Sequence, residues 1–326
     1  MFLLQKFHAS VKPENLDLHI YHEVLIMPSY PEPDRKFYNL SDGRISSVHF
    51  GDESAPVRLV MLNANGFNGY SYKTILEPLG VHAVALDIRG HGMSELPTDA
   101  KGLKNWHIFR DDVTEFFDRY IEAPVVLAGH SFGAVTGILS LPKIQSKVSG
   151  YVGFDPVVLP TLVRFINGLP GGRNYMRKRL PIARSAGRRR SNFESFDAAF
   201  TRYKDRGAFR GFTDEALRDY LTGGVIETET GVELTCDPLW EQAIFIAQGH
   251  NVYKAARALP PHNSHITFAG KYGAVSFKRG RNYLANFIGT ENVIFDKNRA
   301  HMFPMHDPDY AVQRLREVLN KASLNG

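Results

Sequence analysis

Val125-Val126-Leu127-Ala128-Gly129-His130-Ser131-Phe132-Gly133 is the stretch on which the fold turns. Four apolar residues in a row suit a short strand buried on both faces, as in parallel sheets covered by helices. The five residues that follow have the pattern G-x-S-x-G, which places a serine on a sharp strand-to-helix turn. The spacing has a physical reason. A serine there holds strained backbone angles, and a side chain two positions before or after it would meet the neighbouring chain. Ala134, Thr136 and Gly137 then open a small-residue helix, whose N-terminus favours negative charge developing beside the serine. Ser131 is the candidate nucleophile, and Gly129, His130 and Gly133 complete its elbow.

Outward from this elbow, short β-rich runs alternate with helical stretches, the pattern of a mostly parallel sheet flanked by helices. Strands are expected at Ile45–Phe50, Val57–Asn63, Ala83–Ile88, Val125–Ala128, Val148–Phe154, Ile266–Ala269 and Val293–Phe295. Asn105–Ile121 reads as a helix, with Phe109, Val113, Phe116, Phe117 and Tyr120 as its core stripe. Asp309–Lys321 reads as a closing helix. Residues 157–263 differ in character, with Pro, Gly and Arg clusters, helix-like stretches such as Phe193–Tyr203 and Asp214–Leu221, and few strand signals. The expected organisation is a core in two parts, 1–156 and 264–326, with a mainly helical cap, 157–263, inserted before the last two strands.

Composition excludes several classes. The 326 residues are 43% hydrophobic and 22% charged, which is ordinary globular usage and not that of a disordered, collagen-like or coiled-coil chain. No apolar run is long enough for a membrane span, and Gln5, Lys6 and His8 interrupt the apolar Met1–Leu4, so a soluble cytoplasmic protein is the expectation. One cysteine, Cys236, allows neither an internal disulfide nor a Cys-pair metal site. His22-Glu23 lacks the second histidine of a zinc-protease motif, and Gly90-His91-Gly92 ends on Glu95, whose carboxylate would repel a pyrophosphate. No metal and no cofactor are expected. The net charge of +5 is local in origin: residues 171–190 hold eight cations and no acid. That distribution is unlike a nucleic-acid binder.

Taken together, the elbow and three further landmarks resemble the α/β-hydrolase superfamily, in its capped, esterase- and lipase-like branch, from about Ile45 to Leu319. Asn65-Gly66-Phe67 stands where the family carries His-Gly-x. Asp87-Ile88-Arg89-Gly90-His91-Gly92-Met93-Ser94 is similar to the family's D-x-R-G-H-G-x-S turn. His301-Met302-Phe303-Pro304-Met305 stands after the last strand, where the family keeps its catalytic histidine. The resemblance implies an α/β-hydrolase fold and a Ser-His-acid triad with Ser131 as nucleophile and His301 as base. His306 and His265 are the weaker candidates for the base. The usual acid position is empty, because no Asp or Glu occurs from Gln242 to Thr290. Some branches place the acid at the end of the strand after the nucleophile helix, which here is Asp155. Glu241, Asp237 or a Ser–His dyad remain the alternatives. The oxyanion donors implied are the backbone amides of Phe132 and Phe67.

The function so implied is cofactor-independent serine hydrolysis of an ester with a hydrophobic acyl chain, through an acyl-enzyme. A ligand-binding receptor on the same fold, an acyltransferase and a C–C bond hydrolase are the other readings. The partner expected is a small-molecule ester and not a nucleic acid. Three readings stand open for 171–190: a solvated edge, attraction of an anionic substrate or product, and peripheral contact with an anionic membrane.

Overall fold

Strands whose residues are apolar without interruption form the middle of an eight-stranded sheet in the computed structural model, which describes residues 33–271, 273 and 278–324. Met1–Leu4, His22-Glu23 and two residues of the 270–274 stretch, Tyr272 and Ala274, lie outside the described residues. In chain order the strands are β1 (Asp34–Leu40), β2 (Gly43–Phe50), β3 (Leu59–Leu62), β4 (Ala83–Asp87), β5 (Val125–His130) and β6 (Val148–Phe154). A small separate sheet follows, made of β7 (Asn192–Phe193), β8 (Val225–Thr228) and β9 (Gly231–Leu234). The large sheet then resumes with β10 (Ser264–Lys271) and β11 (Val293–Ala300).

The order across the large sheet is β1-β2-β4-β3-β5-β6-β10-β11. Only β2 runs against its neighbours, pairing antiparallel with both β1 and β4; every pair from β4 to β11 is parallel. Parallel pairing needs crossovers, and helices supply them: His107–Tyr120 between β4 and β5, and Phe132–Ile144 between β5 and β6. Every residue of β3, β4 and β5 is buried, as two-sided cover requires. The stripe Phe109, Val113, Phe116 and Phe117 is also buried and closes one face. The C-terminal helix Pro308–Leu324 covers the other through Ala311, Val312, Leu315, Val318 and Leu319.

Register brings the strand ends together. Leu62 pairs with Gly129, His130 with Phe154, and Phe154 with Thr267. The loops leaving β3, β5 and β6 thus start at one level on the carboxyl edge of the sheet, the edge at which open α/β sheets bind ligands.

The segment 157–263 is less uniformly helical than its sequence indicates. Helices Thr161–Gly168, Gly172–Arg179, Pro181–Ala186, Phe196–Tyr203, Asp214–Gly224 and Pro238–Ile246 are joined by the antiparallel sheet β7-β9-β8. Those strands are two to four residues long, too short to leave a period in the sequence. The segment has only a small cluster of its own, Met176, Ala183 and Ile246 with Val163, Leu180 and Phe245, and otherwise shares the core of the large sheet. Trp240 and Ile244 pack in the cluster of Phe109 and Phe132, while Phe200, Tyr203 and Tyr220 pack with Phe67 and Val48. Asn68 Nδ2 donates to Tyr220 O (2.9 Å) and Trp106 Nε1 to Ile244 O (3.0 Å), so polar bonds fasten it as well. Pro33–Gly326 accordingly forms one compact unit.

Candidate active site

The serine turn is built as the glycine spacing demands. Ser131 adopts φ 54° and ψ −110°, a conformation costing roughly 1–3 kcal/mol that the surrounding packing must hold. Its amide donates to Phe154 O (2.8 Å), which pins the turn against the end of β6. A Cβ at Gly133 would stand 2.3 Å from Leu62 O and 2.5 Å from Asn63 O, and one at Gly129 would stand 2.6 Å from Ala134 N. Backbone cannot yield as a flexible side chain does, so only glycine fits at either place. The helix Phe132–Ile144 begins at once, leaving the Phe132 amide without an intrahelical acceptor.

Asp155 follows β6 with a φ of 44°, which few residues other than Asn, Asp and Gly adopt. Its amide donates to Thr267 O (2.7 Å), and its Oδ1 accepts from Ala269 N (3.0 Å), so β10 fixes the carboxylate on two sides. Oδ2 accepts from His301 Nδ1 at 2.5 Å. Asp155 is fully buried, whereas the His301 ring is 23% exposed. A buried carboxylate on Nδ1 fixes the tautomer and aims Nε2 outward. Nε2 is the atom a serine base must use.

His130 reaches behind this pair. The Ala64 amide donates to Tyr72 Oη (2.9 Å), Tyr72 Oη donates to His130 Nδ1 (3.2 Å), and His130 Nε2 donates to His301 O (3.0 Å). Burial, with the charge of His301 adding to it, pushes the His130 pKa down to about 3, so the ring is neutral and its two nitrogens keep these roles. The sequence pattern gives His130 only a place in the elbow.

The loop after β3 revises one expectation. The Phe67 amide donates to Ala64 O (3.0 Å) and so is not a free donor. The Gly66 amide is turned to the buried thiol of Cys236. In this loop the amide of Asn65 has no acceptor among the described residues. Gly66 takes φ 79°, and a Cβ on it would stand 2.8 Å from Glu241 Oε1, which explains the glycine. The Asn65 side chain is anchored at both ends: Nδ2 donates to Glu241 O (3.0 Å), and Oδ1 lies 3.2 Å from His91 Nε2.

The D-x-R-G-H-G-x-S turn supports that loop. Asp87 accepts from the amides of Gly69 (2.7 Å) and Met93 (3.1 Å) and pairs with Arg35. Arg89 forms a bidentate pair with Asp112 at 2.8 and 2.7 Å. His91 stacks on Phe132 with ring centres 5.8 Å apart. The competing acids and bases have other work. Asp237 caps the helix Pro238–Ile246, Glu241 pairs with Arg189 (3.0 Å), His306 Nε2 donates to Arg210 O (3.0 Å), and His265 Nε2 bonds Thr267 Oγ1 (2.8 Å).

Ser131, Asn65 and His301 line one cavity of about 1240 Å³, which residues of 181–210, Glu241 and Phe245 also line. A second group of potential ligands lies apart from it: His49, Glu53 and His82 bring ligand atoms within 4.8 Å of one another. The hydrogen bonds His82 Nδ1 to Ala55 O (2.8 Å) and His49 Nδ1 to His82 Nε2 (2.9 Å), with Lys36 on Glu53, already satisfy these groups.

The fold and this constellation define an α/β hydrolase. Residues 59–311 match the model of the Alpha/beta hydrolase family, and the chain belongs to that family. No curated protein matches the chain at a significant level. Among solved structures it is similar to E-2-(acetamidomethylene)succinate hydrolase, with 15% identity, a TM-score of 0.70, and coverage of 89% of this chain and 100% of that one. A thioesterase domain from the curacin biosynthetic pathway has 14% identity and a TM-score of 0.68, covering 89% and 100%. An esterase of M. tuberculosis has 20% identity and a TM-score of 0.64, covering 89% and 93%. These identities bear on the fold alone. No helix among the described residues is long and apolar enough to cross a membrane.

Proposed function

We propose that this α/β hydrolase is a serine esterase that works through an acyl-enzyme. The observation that carries the reading is the 2.5 Å bond between His301 Nδ1 and the buried Asp155, at the rim of the cavity that Ser131 also lines. In the first half-reaction Ser131 Oγ attacks the ester carbonyl and its proton passes to His301 Nε2. The imidazolium that forms is held by the Asp155 carboxylate. Negative charge gathers on the carbonyl oxygen, and we assign the amides of Phe132 and Asn65 as its donors; one such donor is typically worth about 10²–10³ in rate. His301 then protonates the leaving alkoxide. Water, deprotonated by the same ring, attacks the acyl-enzyme and returns Ser131 to its starting state. Phe67, Phe193, Phe209, Phe245, Met302 and Phe303 line the cavity and supply apolar surface for an acyl chain.

Turnover of p-nitrophenyl esters across a range of acyl lengths, with Ser131→Ala in parallel, tests this. Multiple turnover that vanishes in the variant is expected, with the preferred length measuring the apolar part of the cavity. Equal release of nitrophenol by both proteins would remove Ser131 from the chemistry. Tight binding of an ester without turnover would favour a receptor.

A further inference from the structure

The cavity that Ser131 lines is strongly cationic. Eight arginines and one lysine line the cavity against two carboxylates, Glu241 and Asp307. Both acids are already committed, Glu241 to Arg189 (3.0 Å) and Asp307 to Arg299 (2.8 Å). Arg188, Arg202, Arg206 and Arg210 have no carboxylate partner among the described residues and face the same space. Only Arg188 belongs to the basic run 171–190. The other three come from the helix Phe196–Tyr203 and the turn after it.

That turn is held in place. Phe209 is buried between Arg206 and Arg210, with its ring 4.6 Å from Tyr220 and 5.7 Å from Phe67. The Arg210 carbonyl accepts from His306 Nε2 (3.0 Å), which ties the turn to the loop that carries His301. The four arginines are solvent-exposed, yet like charges from three segments line one concave site, an arrangement that self-repulsion opposes and an anionic guest relieves. A guanidinium also presents a planar fork of donors, suited to the paired oxygens of a carboxylate or phosphate.

We propose that the substrate is an ester whose part remote from the scissile bond carries a carboxylate or phosphate, received by Arg188, Arg202, Arg206 and Arg210. The inference rests on the esterase reading and narrows its substrate class. The anion is held across the cavity while Ser131 attacks the ester carbonyl, so the charge acts on binding and orientation and takes no part in the bond exchange.

Two near-isosteric esters read it out, p-nitrophenyl pentanoate and the p-nitrophenyl monoester of glutarate, which differ by one terminal carboxylate. At low salt the charged ester is expected to have a kcat/KM about ten-fold or more above the neutral one, a ratio that falls as salt is raised. In the triple variant Arg202→Gln, Arg206→Gln, Arg210→Gln the ratio should drop towards unity, with circular dichroism reporting an intact fold. Equal kcat/KM for the two esters in the unaltered protein, joined to an absence of anion binding, would overturn the proposal. So would a preference that survives in the folded triple variant.

Binding separates this result from a failure of the esterase reading. Calorimetry on the Ser131→Ala protein with pyrophosphate and with citrate needs no turnover. Binding of either anion, lost in the triple variant, supports the site even if neither ester is cleaved. Pyrophosphate alone would assign a phosphate-bearing substrate and citrate alone a carboxylate-bearing one. If neither binds and phosphatidylserine vesicles do, the arginines face a membrane and the proposal falls.

Discussion

Asp155 combines a strained backbone with a fixed carboxylate. Its φ of 44° turns the chain out of β6, its Oδ1 is held by Ala269 N, and its Oδ2 is left for His301. Asn tolerates the same backbone region and has nearly the same shape, so Asp155→Asn should fold. It replaces the acceptor facing His301 Nδ1 with an amide that can favour the wrong tautomer. A fall in kcat of about 10⁴, with unchanged circular dichroism, is expected. Near-normal turnover in the folded variant would move the orienting role away from Asp155. The residue was legible in the sequence partly by elimination, since no acid occurs between Gln242 and Thr290. The second oxyanion donor proposed above, the Asn65 amide, was not. Which amide of Asn65-Gly66-Phe67 stays free is decided by Gly66 at φ 79° and by the bond from Phe67 N to Ala64 O, and neither depends on a side-chain pattern.

At the scale of elements, the loop after β3, the end of β5 and the loop after β11 are joined by one chain of bonds, from Ala64 N through Tyr72 and His130 to His301 O. The chain couples the loop that carries Asn65 to the loop that carries His301. Tyr72→Phe removes its central hydroxyl and leaves the Ala64 amide and His130 Nδ1 buried without partners, at a cost of about 1–3 kcal/mol each. Lower thermal stability is expected, with a kcat reduced about ten-fold or more and little change in KM, because a displaced Asn65 amide weakens only the transition state. A loss confined to KM would detach this loop from oxyanion stabilisation. Such a chain has no sequence signature, because Ala64, Tyr72, His130 and His301 share no spacing. Strands were readable where burial is two-sided, as in β3 and β5, where Leu59–Leu62 and Val125–Ala128 are uniformly apolar. The edge strand β1, with Asp34, Arg35 and Lys36 and a mixed exposure, carries no such run. β11 also continues through Asp296-Lys297-Asn298-Arg299, past the apolar Val293–Phe295 where the sequence pattern ends.

Across the whole molecule, five buried histidines titrate far from their ordinary value. Burial lowers His49, His91 and His265 to about 4 and His130 and His250 to about 3. They sit in β2, in the turn after β4, at the end of β5, in the 157–263 segment and in β10, so no single loop can release them. In the unfolded chain each binds a proton near pH 6.5. The folded pKa is depressed, so between about pH 6.5 and pH 4 the unfolded chain binds more protons and stability falls as pH falls. Each ring adds up to about 1.4 kcal/mol per pH unit to that slope. At about pH 5 unfolding should take up roughly four to five protons at these rings. Denaturant midpoints measured from about pH 7.5 down to pH 5, with calorimetry in buffers of different ionisation heat, report both quantities. Stability that is flat or rises on acidification would mean that the rings are charged in the folded protein. Single replacements then locate the source: His250 lies outside the site, and His250→Gln should shallow the slope by about one proton. An acid limb of the activity profile that tracks the loss of folded protein belongs to these five rings, whereas one that precedes it belongs to the chemistry at Ser131.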